Sequence, residues 1–193
     1  MKYRIINPLI ALVIFVSLAF VATAEAGEIV EHPTNPTIVA FVGEVVETDP
    51  QMLRDYLVEH QEVTKLALFS GGGSVTAGLE MMEIIHLRGL KTIVPDTWKC
   101  YSICSFMWLG GSERVVEGTG ELGVHQPFAP HEIAVEMGVE AYKTMTMQTV
   151  AYMMWMVGSL ELDVDPYWWM IMLGTAGDDM YILTVEEVAL FAR

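Results

Sequence analysis

Positive charge is scarce in this sequence: ten Lys and Arg stand against 25 Asp and Glu, a formal charge of −15 over 193 residues. So acidic a body repels phosphate backbones and anionic headgroups, which argues against nucleic acid or an anionic lipid surface as partner. Cysteine is scarcer still, with only Cys100 and Cys104. Two thiols without a further Cys or His at finger spacing make a poor zinc site, so no metal is expected. No Pro/Ser-rich linker or internal repeat divides the chain. The glycine run SGGGSVTAG (70–78) lacks the Lys of a phosphate-binding loop and does not spell the dinucleotide fingerprint. No cofactor is therefore expected.

Long apolar runs are confined mainly to the N-terminus. Lys2 and Arg4 precede an apolar stretch that ends on small residues at Ala24 and Ala26. This three-part pattern predicts a secretory signal over residues 1–26, followed by a single domain over 27–193. The alternative is an uncleaved membrane anchor through residues 5–24, near the length that spans a bilayer. Export to a periplasm would place Cys100 and Cys104 where a local disulfide can persist, with a reduced buried pair as the alternative. At i and i+4 the two thiols are neighbours along a helix face, but a bridge fits better if Cys100 lies just outside the helix. It would then bend over the turn that carries Ser102.

Within the predicted domain, TIVAFVGEVV (37–46) and TKLALF (64–69) read as buried strands. Between them Asp49 is expected to cap a helix with Pro50 at its first position. A second helix is predicted over 75–87 and a strand over 91–95. Strand and helix in alternation imply right-handed crossovers onto a mostly parallel sheet. A third helix starts near Ser102 and stops at Gly110 and Gly111. ELGVH (121–125) is a short strand, and Thr184 with Glu187 has capping-box spacing. The stretch His131–Met156 carries Met and aromatic residues on more faces than one core contact needs, so it reads either as a Met-filled core helix or as an oligomer or lipid contact.

Three segments point to chemistry. The glycines of SGGGSVTAG let backbone amides approach a ligand or a developing oxyanion. Ser102 in CYSICSFMWLGG sits where a serine is ordinarily an N-cap. His125 ends a strand in GVHQP, where Pro127 interrupts regular pairing and a histidine can face a cleft. Asp178 and Asp179 precede another strand-like segment in GTAGDDMYIL.

In that order and spacing these segments resemble the proteolytic subunit of the Clp protease and, more widely, the crotonase-like superfamily, from about Thr37 to the C-terminus. SGGGSVTAG is similar to the family's oxyanion segment, which usually reads Ser-Pro-Gly-Gly before a short run into TAG; here Gly71 replaces the proline. The resemblance implies an α/β fold of repeated β-β-α units, with a mostly parallel sheet and flanking helices. It implies a triad of Ser102 as nucleophile, His125 as general base and Asp179 as its orienting carboxylate, with Asp178 as the alternative. Gly73 and Ile103 match the oxyanion-hole donors, and Ser105 falls at a packing position. The bracketing of the serine by Cys100 and Cys104 resembles an exported branch of the family. The activity expected is a serine peptidase acting on peptides or unfolded polypeptides as a homo-oligomer, a ring of six or seven. Docking features for an unfolding ATPase are absent from the sequence and a periplasm supplies no ATP, so no ATPase partner is expected. The alternative functions are an inactive crotonase-type scaffold and a Ser/Lys peptidase drawing on Lys91 or Lys99. Acyl-CoA chemistry, also hosted by the superfamily, is disfavoured where coenzyme A is lacking.

Overall fold

The computed structural model describes residues 26–192. The predicted signal or anchor lies outside them except for Ala26. β1 (Glu28–Glu31) pairs antiparallel with β2 (Ile38–Val42), which runs parallel to β3 (Lys65–Phe69). β4 (Lys91–Val94) and β6 (Arg114–Val116) complete a five-stranded sheet in the order β1-β2-β3-β4-β6, parallel apart from β1. A smaller sheet holds β5 (Lys99–Tyr101), β7 (Glu121–Val124) and β8 (Tyr181–Ile182), with β5 and β7 parallel.

Helices flank the sheets: α1 (Asp49–Glu59), α2 (Val75–Leu87), α3 (Ile103–Leu109), α4 (His131–Met137), α5 (Val139–Ser159), α6 (Pro166–Gly174) and α7 (Val185–Phe191). The architecture is the expected mixed α/β one. One continuous apolar cluster joins Phe41, Leu53, Leu66, Met82, Trp108 and Trp168 across both sheets and the helices.

Several local expectations change. The first predicted strand stops at Val42, because Gly43 at φ 123° turns the chain toward the glycine-rich loop. Asp49 is not the N-cap of α1: Thr48 holds that position, and Asp49 lies buried in the first turn with its Oδ2 accepting from the Val46 N–H at 2.8 Å. The carboxylate serves the preceding loop and not the helix. The capping box on α7 is present as predicted, Thr184 and Glu187 each accepting the other's N–H. The Met-rich stretch is two helices, broken at Gly138 (φ 77°, ψ 160°). Only Met153, Met156 and Val157 of α5 enter the core, while Met147 and Trp155 are 73% and 62% exposed. A core-filling role thus accounts for only the C-terminal third of α5.

The two sheets are stitched together at Ser70, just past β3. Its N–H donates to the Lys99 carbonyl and its own carbonyl accepts from Tyr101, each at 2.9 Å. This junction sets the glycine-rich loop beside the β5–α3 turn. α2 and α3 cross close by, and Gly110 makes the crossing feasible: a Cβ there would lie 2.5 Å from the Met82 carbonyl oxygen. Gly110→Ala therefore forces backbone apart in a packed interior, at a cost of roughly 1–3 kcal/mol. Thermal unfolding should begin several degrees lower than wild type, and an unchanged midpoint would contradict this packing.

Candidate active site

Ser102 occupies the single-residue turn between β5 and α3 with φ 57° and ψ −128°. A serine in this region costs about 1–3 kcal/mol and persists only where its surroundings over-determine it. They do. Its N–H donates to the Gly123 carbonyl at 3.0 Å, and its carbonyl accepts from the Ser105 N–H at 3.0 Å and the Ser105 Oγ at 2.6 Å. Ser105 is wholly buried, so it does more than fill space: it braces the turn. The Ser102 side chain makes no capping bond to α3. Its hydroxyl is thus left to the cleft.

Cys100 and Cys104 form a disulfide across this turn, with Cα atoms 5.2 Å apart. Cys100 lies on β5 and Cys104 in α3, the placement the spacing predicts. The bridge ties the strand to the helix on either side of Ser102.

The glycine-rich loop faces the same point. The Val45 N–H donates to the Gly72 carbonyl and the Ser74 N–H to the Val45 carbonyl, each at 2.8 Å, so the loop is zipped along Val45. Gly72 (φ 105°) presses on the serine: a Cβ there would stand 2.6 Å from the Ser102 Cβ. Gly73 (φ 138°) has no room for a Cβ against the Val45 carbonyl. Among the hydrogen bonds of the described residues, neither the Gly73 N–H nor the Ile103 N–H has a partner. One free amide thus lies on the loop packed against Ser102 and another on the residue that follows it.

A cleft of about 890 Å³ is lined by Gly71, Gly72 and Gly73, Ser102 and His125, and by Asp178 and Asp179 from the loop before β8. His125 follows β7 directly, 9% exposed, its ring 5.4 Å from that of Phe128. Burial holds the imidazole below the ordinary histidine value of 6.5, a backbone bond with Gln126 opposing this, so the ring is neutral at pH 7. Its Nδ1 is buried and without a partner. Asp179 lines the cleft but its Oδ1 accepts from the Met180 N–H at 2.8 Å, not from His125. The cleft brings Gly73, Ser102, His125, Asp178 and Asp179 together, Ile103 is not among its lining residues, and the imidazole–carboxylate bond is unmade.

Glu44, Phe128 and Met180 also line this cleft, and no sequence motif singles them out. Glu44 carries a usable signal all the same: it follows the C-terminal end of a parallel strand, where sites gather in open α/β sheets. Among the described residues no helix is long and apolar enough to cross a membrane.

The fold these elements define is that of the Clp-protease proteolytic subunits. Among solved structures, a point mutant of ClpP1 from Listeria monocytogenes superposes with a TM-score of 0.54 over 81% of this chain and 88% of that one, at 16% sequence identity. Likeness at that identity establishes the fold. No protein-family model matches the chain, and none of the curated proteins matches it.

Two outcomes follow from this geometry. The His125 imidazole, followed by NMR, should titrate below pH 6.5; a value at or above 6.5 would contradict its desolvation. Because its folded pKa is depressed, its contribution to stability is present above the unfolded value and is lost as pH falls through 6.5 toward the folded value. Reduction of Cys100–Cys104 should slow reaction of Ser102 with an electrophilic probe severalfold by loosening the turn. Equal rates in the oxidised and fully reduced protein would leave the bridge without influence on the site.

Proposed function

We propose that this protein is an exported serine peptidase that works without ATP on peptides or unfolded polypeptides. The observation that carries the reading is the uncapped Ser102, held at positive φ with its hydroxyl beside Gly72 and in one cleft with a neutral, buried His125. In this mechanism His125 takes the Ser102 proton as Oγ attacks the scissile carbonyl, and later returns it to the leaving amine. The Gly73 and Ile103 N–H groups stabilise the oxyanion. Asp179, whose Oδ1 accepts from the Met180 N–H in this structure, turns its carboxylate to the unpartnered Nδ1 to orient the imidazole. A polypeptide substrate is supported by a recess of about 570 Å³ that adjoins the cleft through Gly73, Phe128 and Pro130 and is walled by Ile133, Met145 and Tyr152. Export is supported by the sequence pattern of residues 1–26 and by the disulfide, which suits an oxidising compartment. Self-association is supported by the exposed apolar side chains of α5, Met147, Met154 and Trp155 among them.

A second reading, a crotonase-type scaffold that binds a partner without turnover, is favoured by one observation. The His125 Nδ1 meets neither Asp178 nor Asp179 in this structure.

Labelling by a fluorophosphonate separates the two. The wild type should be labelled, Ser102→Ala should not, and His125→Ala should lose at least about 100-fold in rate, because an unassisted hydroxyl is a weak nucleophile. Asp179→Asn should cost more than Asp178→Asn. A wild type that no condition labels would favour the scaffold, and full labelling of His125→Ala would remove the histidine from the mechanism. Light scattering of the protein at micromolar concentration should give an oligomer; a strict monomer would contradict self-association.

A further inference from the structure

The cleft around Ser102 carries charge of one sign. Glu44 stands on the loop after β2, close enough to Gly73 that a Cβ there would lie 3.0 Å from the Glu44 Cγ. Asp178 and Asp179 stand on the loop before β8. Each lining side chain with a formal charge is one of these carboxylates; the rest of the wall is glycine, Ser102, Phe128, Pro130, Met180 and the imidazole. His125 offsets little of that charge at pH 7, because burial holds the imidazole below its ordinary value. The ring is nine-tenths buried and neutral, and its unpartnered Nδ1 adds one more polar atom awaiting a hydrogen-bond partner. Two walls of the cleft thus present acceptors, and neither presents a cation.

No three His, Cys, Asp or Glu side chains among the described residues converge closely enough to hold a metal ion. The negative field is spread along the cleft and not focused at a point. A group suited to it is a positive charge on a long flexible stem, an ammonium or a guanidinium, which can meet Glu44 or the Asp178 side according to where the chain lies. We propose that the cleft selects polypeptide segments with Lys or Arg beside the scissile bond, and disfavours segments with Asp or Glu there. This rests on the reading of Ser102 as a nucleophile.

A cleft lined by one sign of charge raises the local concentration of oppositely charged substrate and its rate of association, by about 10-fold or more at low ionic strength. Salt weakens the effect, since exposed charges a Debye length apart are screened. The selectivity should therefore appear as a salt-dependent difference in the rate of capture.

The test uses the full chain and three active-site phosphonates: an uncharged fluorophosphonate, and two peptidyl phosphonates identical except for Lys or Glu in the residue next to phosphorus. Each loses its leaving group as Ser102 Oγ bonds to phosphorus, and His125 receives the hydroxyl proton. The Lys probe should react with wild type about 10-fold faster than the Glu probe at low salt, and the ratio should shrink as salt rises past about 0.5 M. Glu44→Gln should narrow that ratio about two- to threefold and Glu44→Lys should narrow it further. Glu44 is exposed, so both variants should fold, and their melting curves check it. Equal rates for the two charged probes, with the uncharged probe reacting, would overturn the selectivity while leaving the nucleophile intact. A ratio left unchanged by Glu44→Lys would overturn it in the same way. Failure of the uncharged probe to label wild type would overturn the nucleophile reading and the selectivity with it.

Discussion

The backbone of Ser102 is the constraint around which the rest is arranged. A non-glycine residue at φ 57° persists only where its neighbours over-determine it. Here β7 holds its N–H through Gly123, the buried Ser105 holds its carbonyl twice, and the disulfide fastens the strand before it to the helix after it. Gly72 supplies the missing volume on the remaining side. Because Ser102 links β5 to α3, and Ser70 stitches β5 to the end of β3, the turn at Ser102 is anchored to both sheets. The same Ser70 junction carries the glycine-rich loop to the serine. Fold and site are thus set by one set of hydrogen bonds.

The acidic loop of the cleft has its own anchor farther out. Glu187 accepts from the Tyr167 hydroxyl at 3.1 Å, the Tyr181 hydroxyl at 3.0 Å and the Thr184 N–H at 2.8 Å. It ties α6 and α7 to β8, whose Tyr181 pairs with Val124 next to His125. The Gln126 N–H donates to the Thr175 carbonyl at 3.1 Å, closing the other end of the loop that bears Asp178 and Asp179. Between these two fixed ends the aspartates are exposed. The exposed Asp179 spends its Oδ1 on the Met180 N–H, while the His125 Nδ1 is buried without a partner. A buried polar atom without a partner costs on the order of 1–3 kcal/mol, so the unpartnered Nδ1 favours any acceptor or donor that reaches it.

Much of this was legible in the sequence where periodicity and local chemistry agree. The helix over 75–87, the strand at Lys65–Phe69 and the capping box at Thr184 and Glu187 each depend on adjacent residues and appear as expected. What was not legible depends on residues distant in sequence. β1, β5 and β6 are short, and they are strands only because the neighbouring ladder completes their bonds. The break at Gly138 interrupts an apolar pattern that continues across it, so composition alone predicts one long segment. In the site, Ser102, His125 and the glycines were recognisable because a resemblance ordered them. That Ser102 would decline the N-cap role, that Ser105 would brace it, and that Glu44 would join the cleft are consequences of backbone angles and of the two-sheet junction, which no local pattern encodes.

The most direct test of Ser102 as the nucleophile is a crystal structure of the protein after reaction with a small fluorophosphonate. One adduct is predicted, on Ser102 Oγ, with the phosphoryl oxygen within about 2.7–3.1 Å of both the Gly73 and Ile103 amide nitrogens. An adduct on another residue, or a phosphoryl oxygen turned away from those two amides, would contradict that role.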